Sequence, residues 1–339
     1  MFSIDNVIQE VKNYLLYKDQ IIVQNKEGQI LFEGQVISDY GTDLEIWKDF
    51  LVYNNQQNEA VFLHLLSKEI SVYPGISAIK TNGEDGLKFG VRNSDELILF
   101  EVKKDELKTV VSALKYNWEM IETKNAVSYF LWDENAVKFI DSGEVKWQKD
   151  FSESGAIRKF VGQSSDLVWL TITEKKPDSK KNLIVALDVK TGELKKNISD
   201  DSFPIHPVRI EFLKNKQKIL CTWGKISANA KAESPLVELC VDTGEVCRNT
   251  YSRDLFEANL KIGTWKYRED KIYFDAASDT INSTYIGIMD YQTLELEWYE
   301  EVQNRKAGLR NLQVADGKIY VMDSGNQLFI YKKSNRIND

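Results

Sequence analysis

Residues 182–197 read NLIVALDVKTGELKKN, and this stretch decides the fold class of the chain. Its first half places Leu183, Val185 and Leu187 on one face of a strand, and Thr191-Gly192 follows before a second short strand. Glycine adopts the positive φ that a tight hairpin often requires, so the stretch predicts two antiparallel strands joined at Thr191-Gly192. Variants of the pattern recur along the chain, which predicts a β-protein built from repeats.

The recurring turns set the period of the repeat. They are NKEGQ (25–29), LSKEI (66–70), KKDEL (103–107), DSGEV (141–145), VKTGEL (189–194), VDTGEV (241–246) and YQTLEL (291–296). Their centres lie about 37 to 40 residues apart at first and about 50 apart later, a spacing typical of propeller blades.

Each period has room for four strands, and six complete units fit between residues 41 and 301. Residues 309–333 supply three strands of a further blade, and QILFEG (29–34) is a spare strand near the amino terminus. Pairing the two would remove an exposed sheet edge. The sequence therefore predicts an all-β, seven-bladed β-propeller over residues 18–339, closed by N- and C-terminal strands. Eight blades, or two separate sandwiches, are the alternatives.

The first 17 residues differ from the rest of the chain. Ser3 is a suitable N-cap, and the apolar residues that follow have helical spacing. These residues are Ile4, Val7, Ile8, Val11, Leu15 and Leu16. They predict a short amphipathic helix over residues 1–17, with a first strand of an edge blade as the alternative.

The repeat resembles that of the pyrroloquinoline-quinone-like β-propellers, in which a strand ending in A-L-D precedes x-x-T-G-x and a tryptophan. Degenerate copies are AVKFIDSGEVKWQ (136–148), LVELCVDTGEVCR (236–248), YIGIMDYQTLELEW (285–298) and DGKIYVMDSGNQLFIYKK (316–333). The resemblance is clearest over residues 140–334 and extends to WD40-like repeats. Quinone dehydrogenases of this class often carry a vicinal disulfide, whereas this chain has no adjacent cysteines, and we expect no cofactor. The lipobox cysteine of envelope-assembly scaffolds is also missing.

Charge and hydropathy restrict the partner and the compartment. The net charge is −8, and a negative field repels phosphate, which disfavours nucleic acid and anionic membranes and favours a basic protein. The amino terminus has no basic segment followed by a continuous apolar one, and no apolar run approaches the roughly 18 residues of a membrane span. We expect a cytoplasmic protein that is monomeric when free.

Residues that carry chemistry are few. The chain has two histidines, of which His64 lies in a strand pattern and His206 in a loop between blades, the better place for function. Cys240 and Cys247 flank the VDTGEV turn, where a two-residue loop would place them directly opposite each other. They are interpreted either as a redox pair or as two apolar side chains on neighbouring strands. Zinc spacings, Walker A loops and nucleophile elbows do not occur, so the sequence predicts a non-enzymatic protein.

The candidate site lies in the connections between blades, which in a propeller emerge on the same face as the inserted loops 174–182, 224–235 and 276–283. Acidic residues alternate there with aromatic ones, a combination suited to capturing a basic protein. The predicted binding residues are Asp39, Tyr40, Asp43, Asp200, Asp201, Phe203, Tyr251, Asp254, Phe256 and Glu257. Our hypothesis is protein binding, and its specific form is an immunity protein that neutralises a basic toxin such as a nuclease. A hydrolase or lyase using the central channel, and a plain scaffold, are the alternatives.

Overall fold

The computed structural model describes the chain outside residues 1, 19, 82–87, 93–95, 102–105, 112–119, 125–127, 176–180, 200–204, 223–234, 279–282, 304–307 and 334–339. The described residues form eight sheets, seven with four strands and one with five. Each sheet is one blade of the propeller fold. Among the described residues, no helix is long and apolar enough to cross a bilayer.

The strands of the first half are short and follow one another closely. In chain order they are β1 (Phe2–Ile8), β2 (Val11–Tyr17), β3 (Gln20–Asn25), β4 (Ile30–Phe32), β5 (Gln35–Ser38), β6 (Thr42–Trp47), β7 (Phe50–Asn54), β8 (Ala60–His64), β9 (Ile70–Tyr73), β10 (Ile76–Ala78), β11 (Lys80–Thr81), β12 (Lys88–Arg92), β13 (Glu96–Glu101), β14 (Glu106–Val111), β15 (Met120–Thr123), β16 (Ser128–Trp132), β17 (Ala136–Asp141) and β18 (Glu144–Asp150). Blade 1 is β2–β5, blade 2 is β6–β9, blade 3 is β10 with β12–β14, and blade 4 is β15–β18 with β11 added in parallel.

The second half contains the longer strands. They are β19 (Gly155–Gln163), β20 (Leu167–Glu174), β21 (Asn182–Asp188), β22 (Leu194–Ser199), β23 (Ile210–Leu213), β24 (Lys218–Thr222), β25 (Pro235–Cys240), β26 (Val246–Tyr251), β27 (Leu260–Arg268), β28 (Lys271–Ser278), β29 (Thr284–Asp290), β30 (Leu296–Glu301), β31 (Leu309–Ala315), β32 (Lys318–Asp323) and β33 (Leu328–Lys333). A 3-10 turn covers Lys214–Lys216, and a short helix α1 covers Arg253–Glu257. Blades 5, 6 and 7 are β19–β22, β23–β26 and β27–β30, and blade 8 is β31–β33 with β1.

The chain divides into two compact units. One contains residues 1–27, 31–35 and 203–339, and the other contains 28–30 and 36–202. In the second unit, aromatic side chains fill the space between blades 4 and 5, where the rings of Phe130 and Phe160 lie 5.6 Å apart. In the first unit, blades 6 and 7 share a core that includes Leu220 and Phe274.

The turn that organises the sequence is built as an Asp-anchored loop. Asp188 Oδ1 accepts hydrogen bonds from the backbone N–H groups of Lys190 and Thr191, both at 2.9 Å. Gly192 follows with φ +71°, in the left-handed region that favours glycine. The loop covers residues 189–193 and a β-bulge follows it, so it is longer than the two-residue turn that we predicted.

The side chain four residues after such a turn docks onto the next blade. The Trp147 Nε1–H group donates to the backbone oxygen of Val189 at 2.8 Å, and its ring lies against Gly192. Arg248 occupies the same place in blade 6 and donates to the backbone oxygen of Tyr291, also at 2.8 Å. The repeat therefore encodes a contact between blades as well as a turn within one.

The predicted blade count of seven is wrong, because the structure has eight blades. All six predicted units between residues 41 and 301 are confirmed as blades 2–7, and residues 309–333 form three strands as expected. The error lies in the first 38 residues, which supply one complete blade and an additional strand.

The predicted N-terminal helix is also wrong, because residues 2–8 and 11–17 are strands β1 and β2. The chain reverses at Glu10, whose φ is +61°, and the Val11 N–H group donates to the backbone oxygen of Asn326 at 2.9 Å. Tertiary pairing thus overrides the helical spacing. The closing strand is β1, which pairs antiparallel with β33, and not QILFEG, which lies within blade 1.

The first strand of several blades is bulged at the same place. In β6, β27 and β31, two residues stand opposite one residue of the next strand. The Tyr14 hydroxyl of blade 1 donates to the backbone oxygens of Asn311, in the bulge of β31, and Tyr320. Bulges of this kind redirect nearby side chains.

Candidate functional site

The structure describes seven of the ten predicted binding residues. Asp39, Tyr40 and Asp43 lie between blades 1 and 2, in the second compact unit. The other four described residues lie at the connection between blades 6 and 7, in the first unit. They are Tyr251 at the end of β26 and Asp254, Phe256 and Glu257 in α1. Asp200, Asp201 and Phe203 lie outside the described residues, as do residues 176–180, 224–234 and 279–282 of the inserted loops.

The connection between blades 1 and 2 uses its polar groups for its own structure. The Gly41 N–H group donates to the backbone oxygen of Gly28 at 3.0 Å, and the ring of Tyr40 lies against Gly28. Asp43 sits in the bulge of β6 and accepts a hydrogen bond from Asn54 Nδ2 at 3.2 Å. Asp39 is exposed. Tyr40 and Asp43 therefore have local structural roles.

Helix α1 is attached to blade 7 by two side chains. Ser252 is its N-cap: its hydroxyl oxygen accepts from the Leu255 N–H group at 3.3 Å and its hydroxyl donates to the backbone oxygen of Leu294 at 2.6 Å. Asp254 Oδ2 accepts from the Leu296 N–H group at 2.7 Å. These bonds join segment 251–259 to Leu294 and Leu296, which lie shortly before residues 299–301 of β30.

Tyrosines are exposed on both segments. Tyr251 is 54% exposed at the end of β26, and Tyr299 is 46% exposed in β30. The ring of Tyr299 meets the half-buried ring of Tyr285 edge-on, with 6.0 Å between centroids. Because Tyr251 and Tyr299 both lie in hydrogen-bonded strands, their backbone positions are fixed. We call Tyr251, Arg253, Glu257, Tyr285 and Tyr299 the α1 surface.

Acidic residues outnumber basic ones in the two segments that carry the α1 surface. Segments 251–259 and 283–301 contain one arginine and seven aspartates or glutamates. Glu257 pairs with Arg253 at 2.7 Å, and both side chains are well exposed. Burial raises the pKa of the Glu300 carboxyl. The predicted acidic and aromatic character is thus present here, although the Asp254 carboxylate supports the helix attachment.

A buried carboxyl that the sequence reasoning missed lies in the first two strands of blade 7. Asp275 is 6% exposed and accepts hydrogen bonds from both the N–H group and the hydroxyl of Thr264, in the bulge of β27. A Cβ on Gly263 would overlap Asp275 Oδ1, so the bulge requires glycine. Burial raises the pKa of Asp275 to about 6, while Thr264 and the nearby Arg209 guanidinium act in the opposite direction.

His206 and Arg209 lie next to this group, just before β23. The Arg209 guanidinium donates to the backbone oxygen of Ile262 at 3.4 Å. Burial, followed by the charge of Arg209, lowers the pKa of His206 to about 4, so its imidazole is neutral at pH 7. His206 Nδ1 accepts from the Val208 N–H group at 3.4 Å. The only sequence signal for Asp275 is a carboxylate inside the apolar strand KIYFDAAS.

The other histidine closes a turn. His64 ends β8, and its Nδ1 accepts from the Ser67 N–H group at 3.0 Å. Within the part of the chain that the structure describes, no group of three or more His, Cys, Asp or Glu side chains is placed to hold a metal ion.

Comparison with known proteins identifies the fold. No protein-family model and no curated protein matches the chain. Among solved structures, BamB from Moraxella catarrhalis is similar at 10% identity and a TM-score of 0.60, over 98% of this chain and 100% of that one. Sqt1 from Saccharomyces cerevisiae is similar at 8% identity and a TM-score of 0.61, over 98% of both chains. Virginiamycin B lyase from Staphylococcus aureus is similar at 11% identity and a TM-score of 0.53, over 98% of this chain and 100% of that one.

These three proteins are β-propellers, so the resemblance to propeller repeats is confirmed for the fold. They include a lyase, so the fold alone does not separate enzymes from binding proteins.

Proposed function

We propose that this chain is a non-enzymatic β-propeller that binds another protein through the α1 surface. The observation that carries the proposal is the pair of exposed tyrosines, Tyr251 and Tyr299, held on fixed strands beside α1. Tyrosine is among the residues that contribute most binding free energy at protein interfaces. A β-propeller commonly serves as a protein-binding scaffold, which is consistent with this function.

Preorganisation supports the α1 surface as the contact. Ser252 and Asp254 fix α1 to the turn and strand that precede Tyr299. A partner would therefore meet side chains whose backbone is already ordered, so little conformational entropy is lost on binding.

The charge of the surface supports a basic partner. The two segments contain seven carboxylates and one arginine, and two of the carboxylates, Asp290 and Glu297, pair with Lys271. The remaining excess of carboxylates has the same sign as the net charge of the chain. Such a field accelerates the approach of a positively charged protein, and salt screens this effect. Neutralisation of a basic toxin such as a nuclease is the narrower form of the proposal, and a cytoplasmic location belongs with it. The toxin hypothesis rests on the negative net charge.

The test is affinity enrichment from the source organism, followed by calorimetry with each enriched protein. We expect Tyr251→Ala with Tyr299→Ala to weaken binding by at least about 30-fold, the effect of losing a strong interface contact. Leu66→Ala is the control, because it shortens another exposed side chain, in the turn after β8. Raising NaCl from about 0.1 M to about 0.5 M should reduce the association rate. Unchanged affinity in the double tyrosine variant, or a binding rate insensitive to salt, would refute the proposal.

A propeller enzyme is the second candidate. Asp275, with a pKa near 6, and the neutral His206 are the observation in its favour. Both hydrogen bonds that the Asp275 carboxylate accepts come from Thr264, which instead favours a role in holding the bulge of β27. An activity retained in Asp275→Asn would exclude that carboxyl as an acid or base.

A further inference from the structure

The two cysteines beside the VDTGEV turn lie in a different register from the one that the sequence suggests. The Cys240 N–H group donates to the backbone oxygen of Glu245 at 2.9 Å. Arg248 stands opposite Glu238 and Val246 opposite Leu239, so Cys247 is the extra residue of a β-bulge. The thiols are therefore not directly opposite each other, but they occupy the same end of the hairpin.

The Cys247 thiol lies close to the strand that carries Cys240, since it donates to the backbone oxygen of Glu238 on β25 at 3.4 Å. The pKa of Cys247 is raised to about 11, first by partial removal of the thiol from water and then by the neighbouring Cys240 thiol. Lys218 stands opposite Cys240 on β24, and its ammonium group lies 2.6 Å from the buried Glu238 carboxylate and near both thiols. Cys240, Cys247, Lys218 and Glu238 thus form one cluster at the base of the hairpin.

The exposure of this pair differs from that of the third cysteine. Cys247 is exposed and Cys240 half-buried, whereas Cys221 is 1% exposed in β24. Unpaired cysteine is normally among the most buried residue types, as Cys221 is here. The pair is therefore more accessible than Cys221, whichever of the two interpretations applies.

We propose that Cys240 and Cys247 form a reversible intrachain disulfide that clamps the β25–β26 hairpin when the protein meets a peroxide. The exposed Cys247 thiol gives up its proton as its sulfur attacks a peroxide oxygen, the O–O bond breaks, and the proton joins the leaving hydroxide, so that a sulfenic acid and one water result. Cys240 then loses its proton and attacks the sulfenic sulfur; the S–S bond forms, the S–O bond breaks and a second water leaves. Two thiols lose two electrons in total, and one hydrogen peroxide is reduced to two waters.

The clamp would lie beside the contact between blades 6 and 7. Arg248, next to Cys247, donates to the backbone oxygens of Tyr291 and Gln292, both at 2.8 Å. Holding the start of β26 would therefore strengthen the attachment of that strand to the following blade. This inference is independent of the proposed partner.

The sequence provides a direct assay. Trypsin cleavage after Lys231 and Arg248 leaves both cysteines in peptide 232–248, while Cys221 lies in peptide 219–225. After treatment of the native protein with hydrogen peroxide, we expect peptide 232–248 to lose about 2 Da, the mass of two hydrogens, and to resist alkylation. Dithiothreitol should restore both thiols, and Cys221 should stay alkylatable after denaturation. Oxidation to sulfinic or sulfonic acids, or disulfides between chains, in place of this product would overturn the proposal.

A second measurement determines whether the fold positions the pair. In glutathione redox buffers, the equilibrium constant for the 240–247 disulfide should be at least about tenfold larger in the native protein than in denaturant, because the hairpin raises the effective concentration of the thiols. Equal or smaller values in the native protein would refute the clamp. Cys221→Ser is the matched control and should leave the native value unchanged.

Discussion

Asp275 is the residue whose ionisation opposes folding most clearly. It is almost completely buried, with a pKa near 6 against an ordinary value of 3.8. Because the pKa of Asp275 is higher in the folded state, binding of a proton to this carboxyl favours folding. This stabilisation is fully present below pH 3.8 and is lost as the pH rises through 6. The loss by pH 7 corresponds to about 3 kcal/mol, at about 1.4 kcal/mol for each unit of pKa shift.

We therefore expect Asp275→Asn to gain stability relative to the wild type between pH 4 and pH 7. The amide keeps an acceptor for Thr264 and cannot ionise. Urea unfolding of both proteins across this range measures the difference, which should increase by about 1–3 kcal/mol towards neutral pH. A difference that does not change with pH would show that the carboxyl is not shifted in this way.

Gly192 lies at the contact between blades 4 and 5, so replacing it tests how tightly the two blades pack there. It has φ +71°, and a Cβ at this position would lie 2.7 Å from the indole of Trp147. Gly75 has nearly the same φ, +70°, and a Cβ added there would meet no atom within 4 Å. Both alanine variants incur the left-handed backbone cost of about 1–2 kcal/mol.

Gly192→Ala should therefore be less stable than Gly75→Ala by about 1–3 kcal/mol, the usual cost of forcing atoms into a packed contact. Chemical denaturation of the two variants provides the comparison. Equal stability losses would mean that the indole moves aside at little cost.

At the scale of the element, the sequence is most informative where a turn has a side-chain anchor. The VKTGEL and YQTLEL turns are both held by an aspartate that accepts from two backbone N–H groups, and both were placed correctly. The spacing of the six turns from LSKEI to YQTLEL identified blades 2–7, because each of them lies between the third and fourth strands of its blade. The NKEGQ turn lies between the second and third strands of blade 1. The bulges in β6, β27 and β31 left no such signature, since they depend on how the first strand meets its neighbour.

The amino-terminal strands were missed for a physical reason. Apolar residues at positions 4, 7, 8, 11, 15 and 16 satisfy helical spacing. The residues buried in β1 and β2 are nevertheless determined by strands that lie far along the chain. Val11 and Tyr14 pack against Tyr320, Met322 and Leu328. Local spacing cannot report such contacts, and the blade count of seven followed from the same error.

The segments that the sequence predicts to bind a partner could be recognised only in part. The acidic and aromatic residues of 251–259 and 299–301 are evident from the sequence, and the structure joins the first segment through Ser252 and Asp254 to Leu294 and Leu296, shortly before the second. The sequence does not show which carboxylates have structural roles. Asp254 holds α1 by a hydrogen bond, whereas Glu257 is exposed.

For the whole molecule, β1 is the element on which blade 8 depends. It pairs with β33 from Phe2↔Lys333 to Ile8↔Leu328, and the Phe2 ring lies 5.2 Å from that of Trp298. Removing residues 2–8 would expose one edge of β33 and uncover this aromatic contact. We expect the truncated protein to have a lower unfolding midpoint and faster amide exchange in β33.

Hydrogen–deuterium exchange with mass spectrometry measures this effect peptide by peptide. A synthetic peptide of residues 1–9, added in trans, should restore the protection of β33, whereas a peptide of the same composition in scrambled order should not. Unchanged protection of β33 in the truncated protein would show that β1 contributes little to the sheet.

The pairing of β1 with β33 also has a consequence for how the chain folds. During synthesis on the ribosome, β1 emerges long before its partner, since Ile8 ends next to Leu328. Blades 1–7 can form from strands close in sequence, but blade 8 has to join two distant parts of the chain, and contacts of such high sequence separation form slowly. Until then, β1 carries unpaired N–H and C=O groups and an unburied Phe2. We expect the pairing of β1 with β33 to be the final, rate-limiting step of folding. Chaperones should be needed most in the interval before this pairing.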